Sequence, residues 1–392
     1  MKKYSLKTVI VLMLLASALI CILMGFFLWR WTGLGTKNFH EVLRYAELLR
    51  KIDRYYVGDY DPELVADAAM DAAVSNLGDR WSYYLNREAY AQYINSSNNE
   101  YVGLGIVIEQ EPESGALRIL RVYADSPAMQ AGLQIGDLIT AVDGESILEL
   151  DLTQAKAKIA RPAGQAIALT VDRNGETLGV DAVCDHVFVS PVEGELLTDG
   201  VGLITIMNFD KGSSEGFQTQ YEALLEQGAK AFVFDVRSNP GGYVSELCNI
   251  LDYLLGSCEI FVSVAPDGEE TVTTSDEAMQ DDPAVVLVNG DSYSAAEYFA
   301  AVLSDYGYAR TVGTHTTGKG RSQITVELMD GGALHISSAE YVTPNRVSLY
   351  DQGGIAPDYT VELSEEKQSL LLSGALAPEQ DEQLQKALAL LK

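Results

Sequence analysis

At 392 residues, with 47% hydrophobic and 21% charged residues, the chain has the make-up of a globular protein long enough for two or three domains. Its formal net charge of −29 argues against nucleic acid as a partner, because phosphate contacts call for a basic face, and reads as a solvated acidic surface. The four cysteines, Cys21, Cys184, Cys248 and Cys258, lack CxxC or Cys/His spacing, so no metal site is expected; free buried thiols are the simpler reading, with a Cys248–Cys258 bridge left open.

Lys2, Lys3 and Lys7 lie in a short tail, residues 1–8, ahead of a stretch without charge from Val9 to Trp29. At about 1.5 Å per residue that stretch makes roughly 30 Å of helix, the thickness of a bilayer core. The basic tail places the N-terminus in the cytoplasm and everything past residue 35 outside it, as expected of a single-pass protein of the cell membrane. A cleaved signal peptide is the rival reading, but the apolar stretch is long for a signal core and no clean small-x-small site follows it.

Residues 36–96 read as helical. Phe39, Val42, Leu43, Ala46, Leu49, Ile52 and Tyr56 recur at helical spacing. Asp61-Pro62-Glu63 starts a second helix that stops at Gly78, and a third begins near Arg87 after Trp81-Ser82-Tyr83-Tyr84-Leu85. Packing is their expected role, with a homodimer interface left open.

Residues 97–185 turn to short strands. The spacing predicts one strand from Val102 to Ile108 through Gly103 and Gly105, strands over 117–123 and 137–142, a helix over 152–159, and a hairpin around Asn174-Gly175. Residues 186–363 alternate strand and helix. Apolar runs over 201–206, 231–236, 259–264 and 284–288 predict buried strands of an α/β core with a mostly parallel sheet. In the closing segment, 364–392, Pro378 to Leu391 reads as an amphipathic helix.

Three residues carry the chemistry. Ser294 lies where the run ending at Val288-Asn289-Gly290-Asp291-Ser292 turns into a small-residue helix, and Lys319 and Gln323 follow in Thr317-Gly318-Lys319-Gly320 and beyond. A serine hydroxyl needs a base, and a lysine serves if burial leaves its amine neutral. Asp235-Val236-Arg237-Ser238-Asn239-Pro240-Gly241-Gly242 ends a strand and opens a helix, a place where backbone N–H groups can face an oxyanion. A histidine-based triad through His315 or His335 is the competing arrangement; His40 and His186 complete the set.

Taken in order, Asp-Val-Arg-x-Asn-Pro-Gly-Gly, Ser-Tyr-Ser-Ala-Ala-Glu and Thr-Gly-Lys-Gly-x-x-x-Gln make residues 38–391 resemble the C-terminal processing peptidases, or tail-specific proteases. Thr343-Pro344, Gly353-Gly354-Ile355-Ala356-Pro357-Asp358 and Gln380-Asp381-Glu382-Gln383-Leu384 resemble that family's later motifs. The resemblance implies a ClpP/crotonase-like core and a serine endopeptidase that uses no cofactor. It makes Ser294, not Ser292, the nucleophile, Lys319 the general base and Gln323 the residue that orients it. The implied oxyanion donors are the N–H of Ala295 and that of Gly241 or Gly242. Tyr293 stands where the family often has alanine. Glu297 receives no catalytic role.

Within 97–185, Tyr101-Val102-Gly103-Leu104-Gly105-Ile106 resembles the carboxylate-binding loop of a PDZ domain, and Ser126-Pro127-Ala128, Ala131-Gly132-Leu133 and Gly136-Asp137-Leu138-Ile139 match its later signature. That resemblance implies a small β-rich module in which Gly103, Leu104, Gly105 and Ile106 meet the apolar C-terminal tail of a protein or peptide substrate and gate the protease, with Arg161 available to touch the core. The alternative is a membrane-tethered PDZ scaffold that is latent or does not cut.

Overall fold

The computed structural model describes residues 6–32, 36–197 and 200–392. It separates into two units, residues 1–69 and 70–392. The first holds helices α1 (Leu6–Thr32) and α2 (Thr36–Tyr55), and α3 (Pro62–Ser75) runs across the boundary. Within α1, Ile10–Phe27 is long and apolar enough to cross a membrane and is wholly unburied.

The second unit continues with β1 (Tyr83–Leu85) and α4 (Arg87–Ser97), whose N-cap Asn86 accepts from the Ala89 N–H. The PDZ-like segment follows as β2 (Glu100–Gly103), β3 (Ile106–Gln110), β4 (Leu117–Val122), α5 (Pro127–Gln130), β5 (Leu138–Val142), β6 (Glu145–Ser146), α6 (Leu152–Ile159), β7 (Ala166–Arg173), β8 (Glu176–Val183) and β9 (Asp185–Phe188). The single strand expected from Val102 to Ile108 is two strands: β2 pairs with β9, and β3 pairs with β4 in a separate sheet. The break falls at Gly105, where φ is +80° and an added Cβ would lie 2.3 Å from Ser126 Cβ. Leu104, Leu117, Ile119, Ile139, Leu169 and Val171 form this segment's own core.

The remainder comprises β10 (Val192–Leu196), β11 (Val201–Ile206), α7 (Ser213–Glu226), β12 (Ala231–Asp235), α8 (Val244–Leu254), β13 (Glu259–Val264), β14 (Glu270–Thr274), β15 (Ala284–Val288), α9 (Ala295–Asp305), β16 (Ala309–Gly313), β17 (Arg321–Glu327), β18 (Ala333–Val342), α10 (Leu349–Gln352), β19 (Tyr359–Thr360), α11 (Glu365–Leu372) and α12 (Glu382–Leu390). These strands form two sheets, which corrects the expectation of one mostly parallel sheet. The six-stranded sheet, in order β10-β11-β12-β15-β16-β19, is parallel except at β10. The other, built from β1, β18, β13, β14 and β17, is antiparallel throughout. The run at 259–264 therefore belongs to the second sheet. Over the whole molecule antiparallel pairings predominate.

Alternation along β12 explains the layering. Phe232 and Phe234 face α7, α8 and α9 in the larger core, whereas Ala231 and Val233 face Leu384 and Ala387 of α12. Arg237 ties α12 down: its buried guanidinium bonds Asp235 at 2.6 Å, Asp381 at 2.8 Å and Gln383 at 2.9 Å. The four cysteines are free, and only Cys184 is fully buried.

Candidate active site

The carboxyl ends of β12, β15 and β16 open into three loops, the usual place for a site on a parallel sheet. The loop after β12 carries Gly241 and Gly242, the loop after β15 leads to Ser294, and the loop after β16 carries Lys319. All four residues line one cavity of about 640 Å³, walled by Trp81, Tyr90, Tyr93, Tyr243, Tyr293 and Tyr341 among others.

Ser294 immediately precedes α9 with φ +59° and ψ −124°, a strained conformation for a residue with a side chain. The strain holds because the neighbours are fixed. Tyr293 N–H donates to Asn239 O, and fully buried Ser292 donates its hydroxyl to Val236 O at 2.7 Å. Ser292 thus ties two loops together, while Ser294 stands in the cavity. Gly241 must lack a side chain here, since an added Cβ would lie 2.7 Å from Ser294 Cβ.

Hydrogen-bond accounting separates the two glycines. The Gly241 N–H donates to Asn239 Oδ1 at 2.8 Å. Among the described residues neither the Gly242 N–H nor the Ala295 N–H has an acceptor, and Gly242 is exposed.

Glu297 organises the site. It is fully buried, yet its carboxylate accepts from four donors: Ser294 N at 3.1 Å, Thr316 Oγ1 at 3.0 Å, Gly318 N at 2.8 Å and Lys319 N at 2.7 Å. One side chain therefore fixes the serine segment against the lysine segment. From the sequence Glu297 is expected only to cap or pair locally, with no catalytic role; Ser-x-x-Glu at a helix start is the capping-box signature behind that expectation.

Lys319 Nζ lies 4.9 Å from the Trp81 ring centroid and 6.0 Å from that of Tyr293. Burial pushes the ammonium down to about 8, against the opposing pull of Glu297 and Asp79. No hydrogen bond joins Lys319 Nζ to Ser294 Oγ among the described residues. Gln323, beside a register shift in β17, donates Nε2 to Arg321 O at 2.9 Å and to Ser337 Oγ at 3.1 Å. The fully buried Tyr341 phenol lies against Ser294 without a hydrogen bond of ordinary geometry.

The two histidines of the competing arrangement differ. His315 is exposed, with Nδ1 3.0 Å from Thr316 O. His335 reaches the cavity wall, but its Nδ1 bonds Thr325 Oγ1 at 2.8 Å, and burial with Lys319 nearby pushes its imidazole down to about 4. Its bonded partner is a hydroxyl where a triad would have a carboxylate.

In the PDZ-like segment, Gly103, Leu104, Gly105 and Ile106 line a second groove with Tyr123, Lys156 and Ile159. The Tyr101 phenol faces the Gly105 and Ile106 N–H groups. Arg161 stays within its own segment, bonded to Asp143 at 2.7 Å rather than reaching the core.

Residues 200–361 match the model of peptidase family S41, and residues 118–173 match that of the PDZ domain. The carboxyl-terminal-processing protease of Synechocystis sp. is 32% identical over 330 residues, covering 82% of this chain and 76% of that protein. The chain belongs to the carboxy-terminal-processing proteases of peptidase family S41. The Bartonella bacilliformis carboxy-terminal-processing protease is 30% identical over 336 residues, covering 83% of this chain and 76% of the relative. A solved putative S41 protease from Bacteroides fragilis shares the fold, with a TM-score of 0.52 at 17% identity, over 86% of this chain and 91% of that one. As an S41 peptidase this chain is a serine-type endopeptidase with a PDZ domain, and it acts on proteins or peptides.

Proposed function

We propose that this S41 protease is a membrane-anchored, extracytoplasmic endopeptidase that captures apolar C-terminal tails in its PDZ groove and cuts near them with Ser294 and Lys319. The carrying observation is the convergence, in one cavity, of a strained serine at a helix N-terminus, a lysine depressed to about 8 and two unpaired backbone N–H groups. Lys319 as neutral amine removes the Ser294 proton, and the alkoxide attacks the scissile carbonyl. The N–H groups of Gly242 and Ala295 receive the oxyanion, helped by the positive end of α9. Lys319 then returns the proton to the leaving amine, and water releases the acyl group. Gln323 orients the base. The uncharged stretch Val9–Trp29 within α1 supports the anchor, and the six-stranded sheet, parallel except at β10, with α7, α8 and α9 supports the ClpP/crotonase-like reading of the core.

The test mixes the protein with a substrate bearing an apolar tail and follows intact mass. Tail loss that disappears in Ser294→Ala and in Lys319→Ala is expected; unchanged cleavage in Lys319→Ala removes the dyad. One observation favours a latent, scaffold-like resting state: Lys319 Nζ rests over aromatic rings with no bond to Ser294 Oγ. Catalytic hydrogen bonds often tighten only when substrate binds. Fluorophosphonate labelling of Ser294 that rises when a tail peptide is added identifies a gated enzyme; no labelling under either condition identifies a scaffold.

A further inference from the structure

The short run between α3 and β1 has no part in the chemistry above, yet it reaches both residues that serve the nucleophile. Trp81 covers Lys319 Nζ and packs on Tyr293, ring centroids 5.4 Å apart. Asp79 Oδ2 accepts from Ser82 Oγ at 2.6 Å, and buried Ser82 Oγ accepts from the Ser337 N–H at 3.0 Å. Ser337 Oγ in turn accepts from Gln323 Nε2. The Arg321 carbonyl can only accept, so the Gln323 nitrogen must face it. Both Nε2 protons are then used, and among the described residues no donor reaches Oε1; Gln323 lines the cavity that also holds Lys319.

We propose that residues 79–82 are a positioning strap for the base: Asp79, through Ser82 and Ser337, locks the Gln323 amide with its oxygen available to Lys319, while Trp81 keeps water from the amine. The inference rests on Lys319 being the base. A freely turning amide would offer Lys319 a donor as often as an acceptor, and a donor repels an ammonium. The Arg321 carbonyl removes that choice, and the strap fixes the Ser337 hydroxyl that takes the second amide proton. Trp81 acts in two opposing ways, because its ring face attracts the ammonium while its bulk strips off water; burial is the largest cause of the lysine's downward shift. The charged and titratable groups facing the amine are Glu297 from α9, Asp79 from the strap and His335 from β18; Arg321 faces Asp79 and Arg80 stacks on Trp81.

The decisive experiment titrates Lys319 by NMR in the full chain carrying 13C-labelled lysine, beside kcat and KM for labelled β-casein across pH. Trp81→Ala should move the lysine titration upward from about 8 by a unit or more, costing about tenfold in kcat/KM at pH 7.5, and Trp81→Phe should restore most of it. Asp79→Asn should move the titration downward, since a negative charge that favours the ammonium is gone, yet lower kcat about tenfold with KM unchanged. Ser337→Ala should reproduce that kcat loss without shifting the titration. Titration and kcat/KM within twofold of the parent in all these variants, or shifts of one sign in both Trp81→Ala and Asp79→Asn, would overturn the strap. The Lys319→Ala control separates the two ideas: an active control overturns the dyad, whereas an inactive control beside unmoved strap variants overturns the strap alone.

Discussion

Around Ser294, three loops from the six-stranded sheet are held by a buried carboxylate with four donors and by serine and asparagine side chains that cross between loops. The PDZ domain touches the core differently. Its segment bonds the core through half-buried Asn99, to Asn208 at 2.8 Å and Lys211 O at 3.0 Å, and through Arg121, which reaches Glu193 at 2.7 Å with both side chains 53% exposed. The contrast separates two tasks. Chemistry needs groups fixed before substrate arrives, so its ties are buried and fully bonded. The proposed capture of a tail asks for a module that can shift against the core, and of these ties the exposed ion pair binds weakly enough to allow it.

The largest test of this contrast is Glu297→Ala. Four donors lose their acceptor inside the core, so we expect a loss of about 3–5 kcal/mol of unfolding free energy and casein cleavage near background. Denaturant unfolding and cleavage assays read both, and a loss under about 1 kcal/mol breaks the idea of a rigid centre. Next comes Gly105→Val. The left-handed backbone and the 2.3 Å approach to Ser126 leave no room for the side chain, so the loop through Gly105 must distort. KM for a protein with an apolar tail should rise about tenfold while kcat holds, a split that marks lost recognition rather than lost chemistry. Equal damage to kcat would mean that the PDZ loop takes part in building the active site. Arg121→Ala should be the mildest, within about 1 kcal/mol and twofold in cleavage rate; a tenfold change in either direction would make that contact a latch.

Much of the centre was legible in the sequence because its motifs are local. Ser294, Lys319, Gln323 and the Gly241-Gly242 turn each sit in a short run whose residue types announce a turn or a strand end. That the Gly241 N–H is already taken was not legible, since it depends on where Asn239 Oδ1 lies. The division into two sheets was hidden for a related reason. The runs at 259–264 and 284–288 are both mainly apolar, and periodicity reports burial without naming the neighbouring strand. The strap was least visible: Ser82 and Ser337 are 255 positions apart, and no spacing rule links them. β1 is three residues long and owes its strand form to pairing with β18.

The central claim is that a lysine, not a histidine, activates Ser294, and the pH dependence of kcat/KM for casein cleavage tests it most directly. Burial that disfavours the ammonium predicts activity rising with pH through a single ionisation near 8 as Lys319 loses its proton, with no cleavage in Lys319→Ala at any pH. A rise centred near 6.5, the ordinary histidine range, that persists in Lys319→Ala would contradict the account.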